Sequence, residues 1–447
     1  MARPYTPPVE QGSPDVQALT DALARAGTEA LLPPRIAGTV RLPTVPVVRD
    51  ALTLPGGALL AVLESGDEVV AAPLVPLHGG VRRALAGDGA FAGILRFLAA
   101  GEPAGRFRAE VFGDVPESGE ERAIDVDQSN DSVTVGERAV VKVYPRVTPG
   151  PQPGLDVPAH LAAVGFAETP APFGAVTWRA PDGRPVLLAT VAGFLPGARD
   201  GWDWFVELVL ARLDGDVEPQ DAVAPAGTIG GLVARLHVAL ATRSAVFPTP
   251  VLRADRPIVQ GWLTRAEATL AEALALTAGP EGERLQALAG RAGAALRALD
   301  AIEETPTTRV HGDLHVGQIL RWDGGYAVSD FDGNPLAPQA ARMAPDSPAR
   351  DVASMARAID HVGRVVRGRR PGRDADIDPW IEAARERFLA AYRAQLASAG
   401  RQELLDERLL RPFEVAQECH EYVYAARYLP RWLYVPDLAM PALLARD

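Results

Sequence analysis

The chain has 447 residues, of which 47% are hydrophobic and 23% charged, and its formal net charge is −12 at pH 7. This length predicts about two or three globular domains, and the acidic balance argues against a nucleic-acid-binding surface, which needs a basic excess. The single cysteine, Cys419, leaves no internal disulfide framework and favours a reducing cytoplasm. No apolar run approaches the roughly 18 residues of a membrane span, and the N-terminal stretch lacks the apolar core of a signal peptide, so we expect neither.

Residues 1–110 are predicted to form a separate, β-rich cap domain. Short apolar runs bounded by Pro and Gly, such as Thr39–Leu42 and Ala58–Glu64, are typical of antiparallel strands. A helix over Ala90–Ala99 is predicted to close this domain. We recognise no chemical motif here and predict no reaction for it, and His78, which lies beside a Gly pair, is expected to be a turn residue.

Residues 111–195 are predicted to form a small, β-rich, nucleotide-binding lobe. Strand-like runs at Arg122–Val126 and Ser132–Val135 are separated by a polar turn and followed by the apolar run Ala139–Tyr144. This is the order of the kinase lobe that covers nucleotide phosphates. The turn lacks a G-x-G-x-x-G pattern, so we predict that hydroxyl and amide side chains approach the phosphates; an ordinary polar turn is the alternative. The candidates are Gln128, Ser129, Asn130 and Ser132.

Lys142 is the only lysine in a sequence that otherwise uses arginine. Heavy use of Ala, Arg, Gly and Pro suggests a GC-rich coding bias, which removes lysine wherever it is dispensable. Lysine is a compact point charge that suits a phosphate, whereas arginine is a wide planar fork. We therefore predict that Lys142 binds the nucleotide phosphates; chance survival at a surface position is the alternative.

Lys142 needs a carboxylate partner to hold it in position, and Asp156, at the start of a predicted helix, is the next acid along the chain. An Asp before an apolar run is more commonly the N-cap of its helix, and both roles stay open. The apolar strand predicted over Pro185–Val191 is interpreted as leading into the linker between two lobes. Free backbone groups of Val191 and Gly193 are expected to meet the adenine ring there.

Residues 196–447 are predicted to form a mostly helical C-terminal lobe. A helical hairpin is expected over Gln260–Leu299, Ser347 is expected to cap a later helix, and two long helices are expected within Trp380–Tyr428. The basic stretch Arg364–Arg373 is predicted to be a solvated loop or a contact to the acidic body of the protein, because the chain as a whole is acidic.

The stretch Val310–Pro335 carries the chemistry. Asp313 lies five residues before Gln318, the spacing of the H-R-D-x-x-x-x-N loop in which an Asp orients an attacking hydroxyl and an amide binds metal. Asp330 then opens Asp-Phe-Asp at a strand end, the place of a second metal-binding carboxylate. We predict that Asp313 is catalytic and that Gln318 and Asp330 bind Mg²⁺, because oxygen donors alone favour Mg²⁺ over zinc. A structural calcium loop is the alternative.

Two predicted strands around an Asp-Gly-Gly turn, Gln318–Trp322 and Tyr326–Ser329, form a hairpin that holds these groups together. We interpret His311 as structural and His315 as lining the pocket, because a metal role would require cysteine or closely spaced histidine ligands. Together, the elements predict an α+β, bilobal, protein-kinase-like fold with an N-terminal β-rich cap domain, and ATP and Mg²⁺ as cofactors.

Three segments resemble a known family. HGDLHVGQIL (residues 311–320) and DFDGNP (residues 330–335) resemble the actinobacterial maltokinase-like branch of the aminoglycoside-phosphotransferase superfamily, and residues 127–150 resemble its phosphate loop and lysine strand. The resemblance runs from about residue 120 to the C-terminus and fits the N-terminal module as a cap domain. It implies ATP and Mg²⁺ and the roles given above. It also implies that Asp156 is the partner of Lys142, although relatives carry glutamate there.

The departures from that family concern the substrate. Maltokinases typically read DFEGEP where this chain reads DFDGNP, and the segment QECHEY at residues 417–422 resembles a subgroup that acts as glucosamine kinases. Glu418 and Glu421 share a helix face, and a protonated amino sugar needs carboxylates near its ammonium group. Each charge-assisted hydrogen bond contributes roughly 1.5–3 kcal/mol, or about 10- to 100-fold discrimination against a neutral hexose. Two solvated helix residues are the alternative. The candidate sugar contacts are His315, Asp332, Asn334, Glu418, His420, Glu421, Tyr422 and Trp432.

Our first hypothesis is therefore ATP-dependent phosphorylation of glucosamine at O6 by a cytoplasmic monomer without nucleic-acid or membrane partners. A maltokinase that forms maltose 1-phosphate is the runner-up, and an aminoglycoside phosphotransferase is a third hypothesis. A nucleotide-binding regulator that has lost catalysis is the alternative from a different class. The intact set of predicted catalytic side chains, Lys142, Asp313, Gln318 and Asp330, argues against that last reading.

Overall fold

The computed structural model describes residues 16–26, 46–66, 68–78, 80–124, 131–334 and 337–446. The chain forms two compact units. The first takes in residues 1–162 and 170–196, and the second takes in residues 163–169 and 197–447. The predicted boundary between a cap and a small lobe, at residue 110, falls inside the first unit and stays a prediction.

The first unit is built mainly from short strands. Its described elements, in chain order, are α1 (Val16–Ala26), β1 (Val47–Thr53), β2 (Leu59–Ser65), β3 (Glu68–Leu77), β4 (Gly80–Arg83), α2 (Ala90–Ala100), β5 (Phe107–Val111), β6 (Glu121–Ala123), β7 (Asp131–Val135), β8 (Ala139–Val143), β9 (Arg146–Val147), α3 (Pro153–Ala163), β10 (Pro172–Arg179) and β11 (Pro185–Gly193). They form two antiparallel sheets. One has the order β1-β2-β3-β4 with β9 paired to β3, and the other has the order β5-β10-β11-β8-β7-β6.

Strand β2 is buried on both faces. Leu60 and Val62 belong to a core cluster that also contains α2 and the second sheet, whereas Ala61 and Leu63 belong to a cluster with α1. Successive side chains of a strand point to opposite faces, so α1 and α2 cover different faces of the first sheet. This double burial explains why β2 reads as an uninterrupted apolar run rather than an alternating one.

The predicted elements of this unit are largely confirmed. The strand expected over Ala58–Glu64 is β2, and the helix expected over Ala90–Ala99 is α2. The strand expected over Arg122–Val126 begins one residue earlier, as β6, and ends at Ala123. The strand expected over Thr39–Leu42 lies outside the described residues.

The second unit is mostly helical. Its described helices and strands are α4 (Gly201–Asp214), α5 (Pro219–Leu240), β12 (Leu252–Asp255), α6 (Arg256–Leu276), α7 (Gly279–Leu296), β13 (Glu304–Thr307), β14 (Ile319–Trp322), β15 (Gly325–Val328), α8 (Gln339–Arg342), α9 (Pro348–Arg369), α10 (Asp374–Ser398), α11 (Leu410–Tyr428) and α12 (Tyr434–Ala445). The four strands form two antiparallel pairs, β12 with β13 and the hairpin of β14 with β15.

The helices predicted for the second unit are present, although several of their ends differ from the predicted ones by a few residues. The predicted hairpin is α6 and α7, and the hydroxyl of Ser347 caps α9 by accepting from the N–H of Ala349 (3.3 Å). The basic stretch is not a loop, because α9 continues to Arg369. Arg364 and Arg367 both donate to Asp378, as expected for contacts to an acidic body.

Helix α5 is long and apolar enough, by length and composition, to cross a membrane. Half of its most apolar window is nevertheless buried inside the second unit, and buried core helices pass the same test. It packs along α10, where the indole N–H of Trp380 donates to the carbonyl of Ala222 (3.0 Å) and the imidazole of His237 bonds to the hydroxyl of Tyr392 (2.7 Å).

The close approach of α5 and α10 depends on Gly230. A Cβ atom at this position would lie 2.2 Å from the backbone oxygen of Phe388. We therefore expect Gly230→Ala to lower the free energy of unfolding by roughly 1–3 kcal/mol through overpacking. Gly290→Ala on α7 is the matched control, because a Cβ there meets nothing within 4 Å, and it should raise stability by roughly 0.5–1 kcal/mol. Urea unfolding measures both, and equal shifts would contradict the packing argument.

Candidate active site

The hairpin of β14 and β15 brings the two predicted metal-binding positions to one end. Ile319 pairs with Val328 in its register, so Gln318 and Ser329 lie side by side just beyond the paired residues. The backbone N–H of Ser329 donates to the carbonyl oxygen of Gln318 (2.9 Å), and its hydroxyl donates to the same oxygen (3.3 Å). Asp330 follows immediately, so the predicted hairpin does place these residues close together.

Asp330 has an unusual backbone conformation. Its φ angle is 63°, in the left-handed region, which among the described non-glycine residues is shared only with Glu137. Such a conformation costs on the order of 1–3 kcal/mol and persists only where the surroundings enforce it, commonly at functional sites. Here the hydrogen bonds of the preceding Ser329 to Gln318 provide that constraint. The left-handed conformation turns the backbone out of the strand direction just after β15 ends at Val328.

The loop that carries Asp313 is held by the buried carboxylate of Asp351 in α9. Asp351 accepts from the backbone N–H of His311 (2.7 Å) and from that of Gly312 (3.0 Å). Its Oδ2 also lies 3.1 Å from Nε2 of the buried His237. His311 in turn bonds through Nε2 to the carbonyl oxygen of Ser329 (2.9 Å), as expected for a structural residue. These bonds connect the loop that carries Asp313 (residues 310–318, the predicted catalytic loop) to the hairpin end and to α9.

Asp313 is half-buried, and its surroundings alter its acidity. Burial raises the pKa of its carboxyl group, and the neighbouring carboxylate of Asp330 raises the pKa further. Three histidines oppose the shift, namely His315, His311 and His420. The structure therefore brings together the predicted catalytic Asp313, the predicted metal ligand Asp330 and two predicted sugar contacts.

The surroundings of His315 favour its neutral form. Burial lowers the pKa of its imidazole, although Asp313 and Glu421 act in the opposite direction. The lowered pKa favours the neutral ring. Nδ1 accepts from the backbone N–H of Gly317 (3.0 Å), so the proton of the neutral ring resides on Nε2. His315 can therefore offer one N–H donor beside Asp313.

Glu421 of α11 is held by two neutral donors. The side-chain amide of Gln417 donates to Oε1 (3.1 Å), and the indole N–H of Trp432 donates to Oε2 (3.2 Å). Trp432 packs edge-on against Trp202 with 5.4 Å between ring centres, and Trp202 lies 6.4 Å from the ring of His315. A carboxylate and an aromatic pair thus adjoin the catalytic loop within the second unit.

Lys142 and Ser132 are neighbours in the first unit. Lys142 lies on β8 directly opposite Ser132 of β7 and Thr190 of β11, and directly paired residues share a sheet face. Its Nζ lies 5.0 Å from the ring centre of Tyr144. Two predicted nucleotide contacts are therefore adjacent, whereas Gln128, Ser129 and Asn130 lie outside the described residues.

Two other nucleotide-binding predictions need correction in part. Helix α3 begins at Pro153, so Asp156 lies in its first turn and the N-cap alternative is wrong. The N–H of Gly193 donates to the carbonyl of Ala171 (2.8 Å), so this amide is not the free donor that was predicted for adenine. Val191 is buried within β11, next to the end of the strand.

Curated proteins similar to this chain share one description. The chain is 46% identical over 411 residues to a glucosamine kinase of Streptacidiphilus jiangxiensis, with 89% of this chain and 92% of that protein covered. It is 38% identical over 405 residues to a glucosamine kinase of Mycolicibacterium smegmatis, with 88% of this chain and 98% of that protein covered. The chain belongs to the glucosamine kinase family. No protein-family model matches it.

Solved glucosamine kinases have the same fold as this family member. A glucosamine kinase in complex with glucosamine, ADP and inorganic phosphate is 42% identical and matches with a TM-score of 0.81 over 96% of this chain and 99% of that one. A second crystal form of a glucosamine kinase matches with a TM-score of 0.83 over 95% of this chain. These matches confirm the predicted fold and the predicted family resemblance.

Two residues predicted to touch the sugar are buried in this glucosamine kinase homologue. Glu418 has no exposed surface, and both of its oxygens lie 3.1 Å from Nε2 of His361. Tyr422 is also fully buried, and burial together with nearby acids such as Asp437 raises the pKa of its phenol far above the ordinary range. A helix turns about 100° per residue, so Glu418 and Tyr422 face the core while Glu421 faces the catalytic loop. The prediction of direct sugar contact is corrected for both.

The remaining predicted sugar contacts lie at half-buried positions. Asp332 and Asn334 follow the hairpin, where the carbonyl of Asp332 accepts from Arg342 (3.2 Å) and that of Asn334 accepts from the N–H of Ala337 (3.0 Å). His420 is half-buried and acts electrostatically on Asp313. These three stay predictions.

Sequence reasoning missed three residues of this site. Trp202 follows the linker segment, and a tryptophan next to the cap of a helix was the available signal. Asp351 lies in the first turn of the predicted capped helix, where an acid is commonly exposed, whereas this one is buried. His361 carries no sequence signal, because a lone histidine in an amphipathic helix is most often a packed residue.

Proposed function

We propose that this protein transfers the γ-phosphoryl group of ATP to glucosamine, forming glucosamine 6-phosphate and ADP. The observation that carries the proposal is the Glu421 carboxylate, which two neutral donors hold beside an aromatic pair and His315. Support also comes from the relatives, which are named glucosamine kinases, one of them in complex with glucosamine, ADP and inorganic phosphate.

Recognition of the amino group is assigned to Glu421. Its two hydrogen bonds come from the uncharged donors Gln417 and Trp432, so its negative charge is not cancelled by them. An ammonium group placed there gains a charge-assisted hydrogen bond that a hydroxyl cannot match. Trp202 and Trp432 offer apolar ring surface for a sugar, with their planes 86° apart. Asp332, Asn334, His315 and His420 are proposed to complete the sugar contacts.

Asp313 is proposed to accept and orient the proton of the attacking hydroxyl. Because burial raises the pKa of its carboxyl group, Asp313 is a stronger base than an exposed aspartate. The neutral His315, with its N–H on Nε2, is proposed to donate to the same acceptor sugar. Catalysis then depends on position and on charge neutralisation, as in other phosphoryl transfers.

The residues present fit a magnesium ion that is bound jointly with phosphates. Gln318 and Asp330 offer an amide and a carboxylate at one hairpin end, and no group of three His, Cys, Asp or Glu side chains among the described residues could hold a metal alone. Mg²⁺ typically binds through one or two carboxylates together with substrate phosphates. When bound, Mg²⁺ would neutralise phosphate charge; Gln318 and Asp330 are proposed to hold it.

The nucleotide is assigned to residues of the first unit. We propose that Lys142 binds its α- and β-phosphates with Asp156 as the partner of the lysine, and that Gln128, Ser129, Asn130 and Ser132 approach the phosphates. Val191, and Gly193 through atoms other than its bonded N–H, are proposed to contact adenine. We propose three domains: a cap (1–110), a small lobe (111–195) and a C-terminal lobe (196–447). We also propose that the protein is a cytoplasmic monomer.

The test compares acceptors and a charge-removing variant. Turnover should be highest with glucosamine when ATP consumption is measured with glucosamine, glucose, maltose and aminoglycosides. Glu421→Gln should raise the KM for glucosamine about 10- to 100-fold and leave the KM for ATP unchanged, because it removes one charge-assisted hydrogen bond. Glu386→Gln, at an exposed position of α10, is the control and should match the wild type. Turnover confined to maltose or to aminoglycosides would reject the proposal.

A further inference from the structure

A buried chain of charged side chains lies behind Glu421. Arg357, Asp360, His361 and Glu418 are all buried between α9 and α11. The guanidinium of Arg357 pairs with Asp360 (2.5 Å) and lies 3.6 Å from an oxygen of Glu418. Both carboxylate oxygens of Glu418 in turn lie 3.1 Å from Nε2 of His361. Buried ion pairs of this kind contribute little net stability compared with apolar packing, so a second role for them is worth seeking.

His361 is the end of this chain that faces the proposed sugar site. Its ring stands edge-on to Trp432, with 6.4 Å between ring centres and an interplanar angle of 88°. Trp432 donates its indole N–H to Glu421, so His361 contacts the residue that orients the carboxylate. The series of contacts therefore runs from Glu418 through His361 and Trp432 to Glu421, although Glu418 and Glu421 point to different sides of α11.

The charges along the chain have a definite arrangement. Burial disfavours the imidazolium form of His361, but Glu418 and, more weakly, Glu421 act against burial and leave its pKa raised. The charged groups that face His361 are Glu418 and Glu421 of α11 and Arg357 of its own helix. An imidazolium at this position compensates the charge of Glu418. The charge of Glu421 then remains available for a ligand.

We propose that Glu418 is a positioning residue that acts through His361 and Trp432 to hold the Glu421 carboxylate in place for the ammonium group of the acceptor sugar. The inference rests on the proposed function and names Glu418 and His361 as specificity determinants without sugar contact. Removing the anion of Glu418 releases the His361 ring. This loosens the edge contact of His361 with Trp432, which sets the direction of the Trp432 N–H.

The experiment measures steady-state kinetics of the full-length enzyme with Glu418→Gln. The KM for glucosamine should rise about 10-fold, with kcat and the KM for ATP each changed less than about 3-fold, because ground-state binding of one substrate is affected. The ratio of kcat/KM for glucosamine to that for glucose should fall by about the same factor. Glu414→Gln is the matched control: Glu414 is a buried glutamate one turn earlier on α11 that pairs with Arg385 (2.6 Å). It should leave both KM values within about 2-fold of the wild type.

Variants of His361 and Trp432 keep the test decisive if Glu418→Gln does not fold. His361→Gln retains an N–H donor near the position of Nε2, and His361→Leu removes it. His361→Leu should raise the KM for glucosamine about 10-fold and His361→Gln about 3-fold. Trp432→Phe, which keeps a ring but removes the donor to Glu421, should resemble His361→Leu.

The outcomes separate this inference from the proposed function. A wild-type enzyme that neither binds glucosamine in calorimetry nor phosphorylates it overturns the proposed function and the inference together. A wild type active on glucosamine whose Glu418→Gln and His361→Leu variants keep the wild-type KM overturns the inference alone. Equal losses in Glu418→Gln and Glu414→Gln, or a loss confined to kcat, also overturn it, because they indicate a general packing effect.

Discussion

Replacing Asp313 with alanine is expected to lower kcat for glucosamine by about 100- to 10,000-fold, the usual contribution of a positioned general base. The physical reason is geometric as well as electrostatic. Asp313 lies on a loop whose backbone is fixed by Asp351, and burial raises the pKa of its carboxyl group.

The measurement pairs steady-state turnover with calorimetric ATP binding. ATP affinity should change little, because Asp313 is assigned to the acceptor hydroxyl and not to the nucleotide. Asp323→Ala is the control: it removes an exposed aspartate from the turn of the same hairpin and should keep near-wild-type turnover. Equal activity of Asp313→Ala and the wild type would remove Asp313 from its role.

Replacing Asp351 with alanine is expected to lower the free energy of unfolding by about 3–5 kcal/mol, the usual cost of breaking a buried ionic interaction. The substitution leaves the backbone N–H groups of His311 and Gly312 without their acceptor and His237 without its anion. Each of these groups is buried or half-buried, so water cannot replace the lost bonds at low cost. Turnover should fall as well, because the loop that carries Asp313 loses its anchor.

Urea unfolding and turnover measured on the same preparations test this expectation. Asp351→Asn keeps one acceptor oxygen and should lose less stability than Asp351→Ala. Asp374→Ala, which removes an exposed ion pair with Arg367, should cost less than about 1 kcal/mol. An Asp351→Ala protein with wild-type stability and turnover would contradict the anchoring role.

The pH dependence of stability provides a further check on Asp351. Burial alone would raise the pKa of this carboxyl, but hydrogen bonds from His237 and the loop amides outweigh burial and lower it. A carboxyl whose folded-state pKa is lowered contributes stability above its unfolded pKa, and this stability is lost as the pH falls through the folded-state value. The wild type should therefore lose more stability on acidification below about pH 4 than Asp351→Asn does.

Local patterns in the sequence were sufficient for the elements and for the family. Asp313, Gln318 and Asp330 belong to one short loop and the hairpin that follows it, and short hairpins are set by local turn chemistry. The apolar run around Lys142 also indicates a buried strand from neighbouring residues alone. The helix cap at Ser347 can likewise be predicted from the residues next to it. The resemblance to the family rests on these contiguous segments, which is why it could be stated from the sequence.

The substrate side of the site could not be read in the same way. Glu418 and Glu421 lie three residues apart and look equivalent in sequence, but one is fully buried against His361 and the other adjoins Trp432. Three residues turn a helix by about 300°, so the two side chains diverge by about 60°. That angle is enough to separate core from pocket at the edge of a buried face.

The sequence by itself determined the loop and hairpin that carry Asp313, Gln318 and Asp330, the lone lysine on a strand, and the division into a strand-rich and a helical part. Those features depend on neighbours within a few residues along the chain. Only the tertiary structure decided that Asp351 anchors the catalytic loop, that Trp202 and Trp432 adjoin His315, and that Glu418 acts on its surroundings through His361. These relations join residues far apart in sequence, and burial and contact across packed helices leave no local pattern from which they could be predicted.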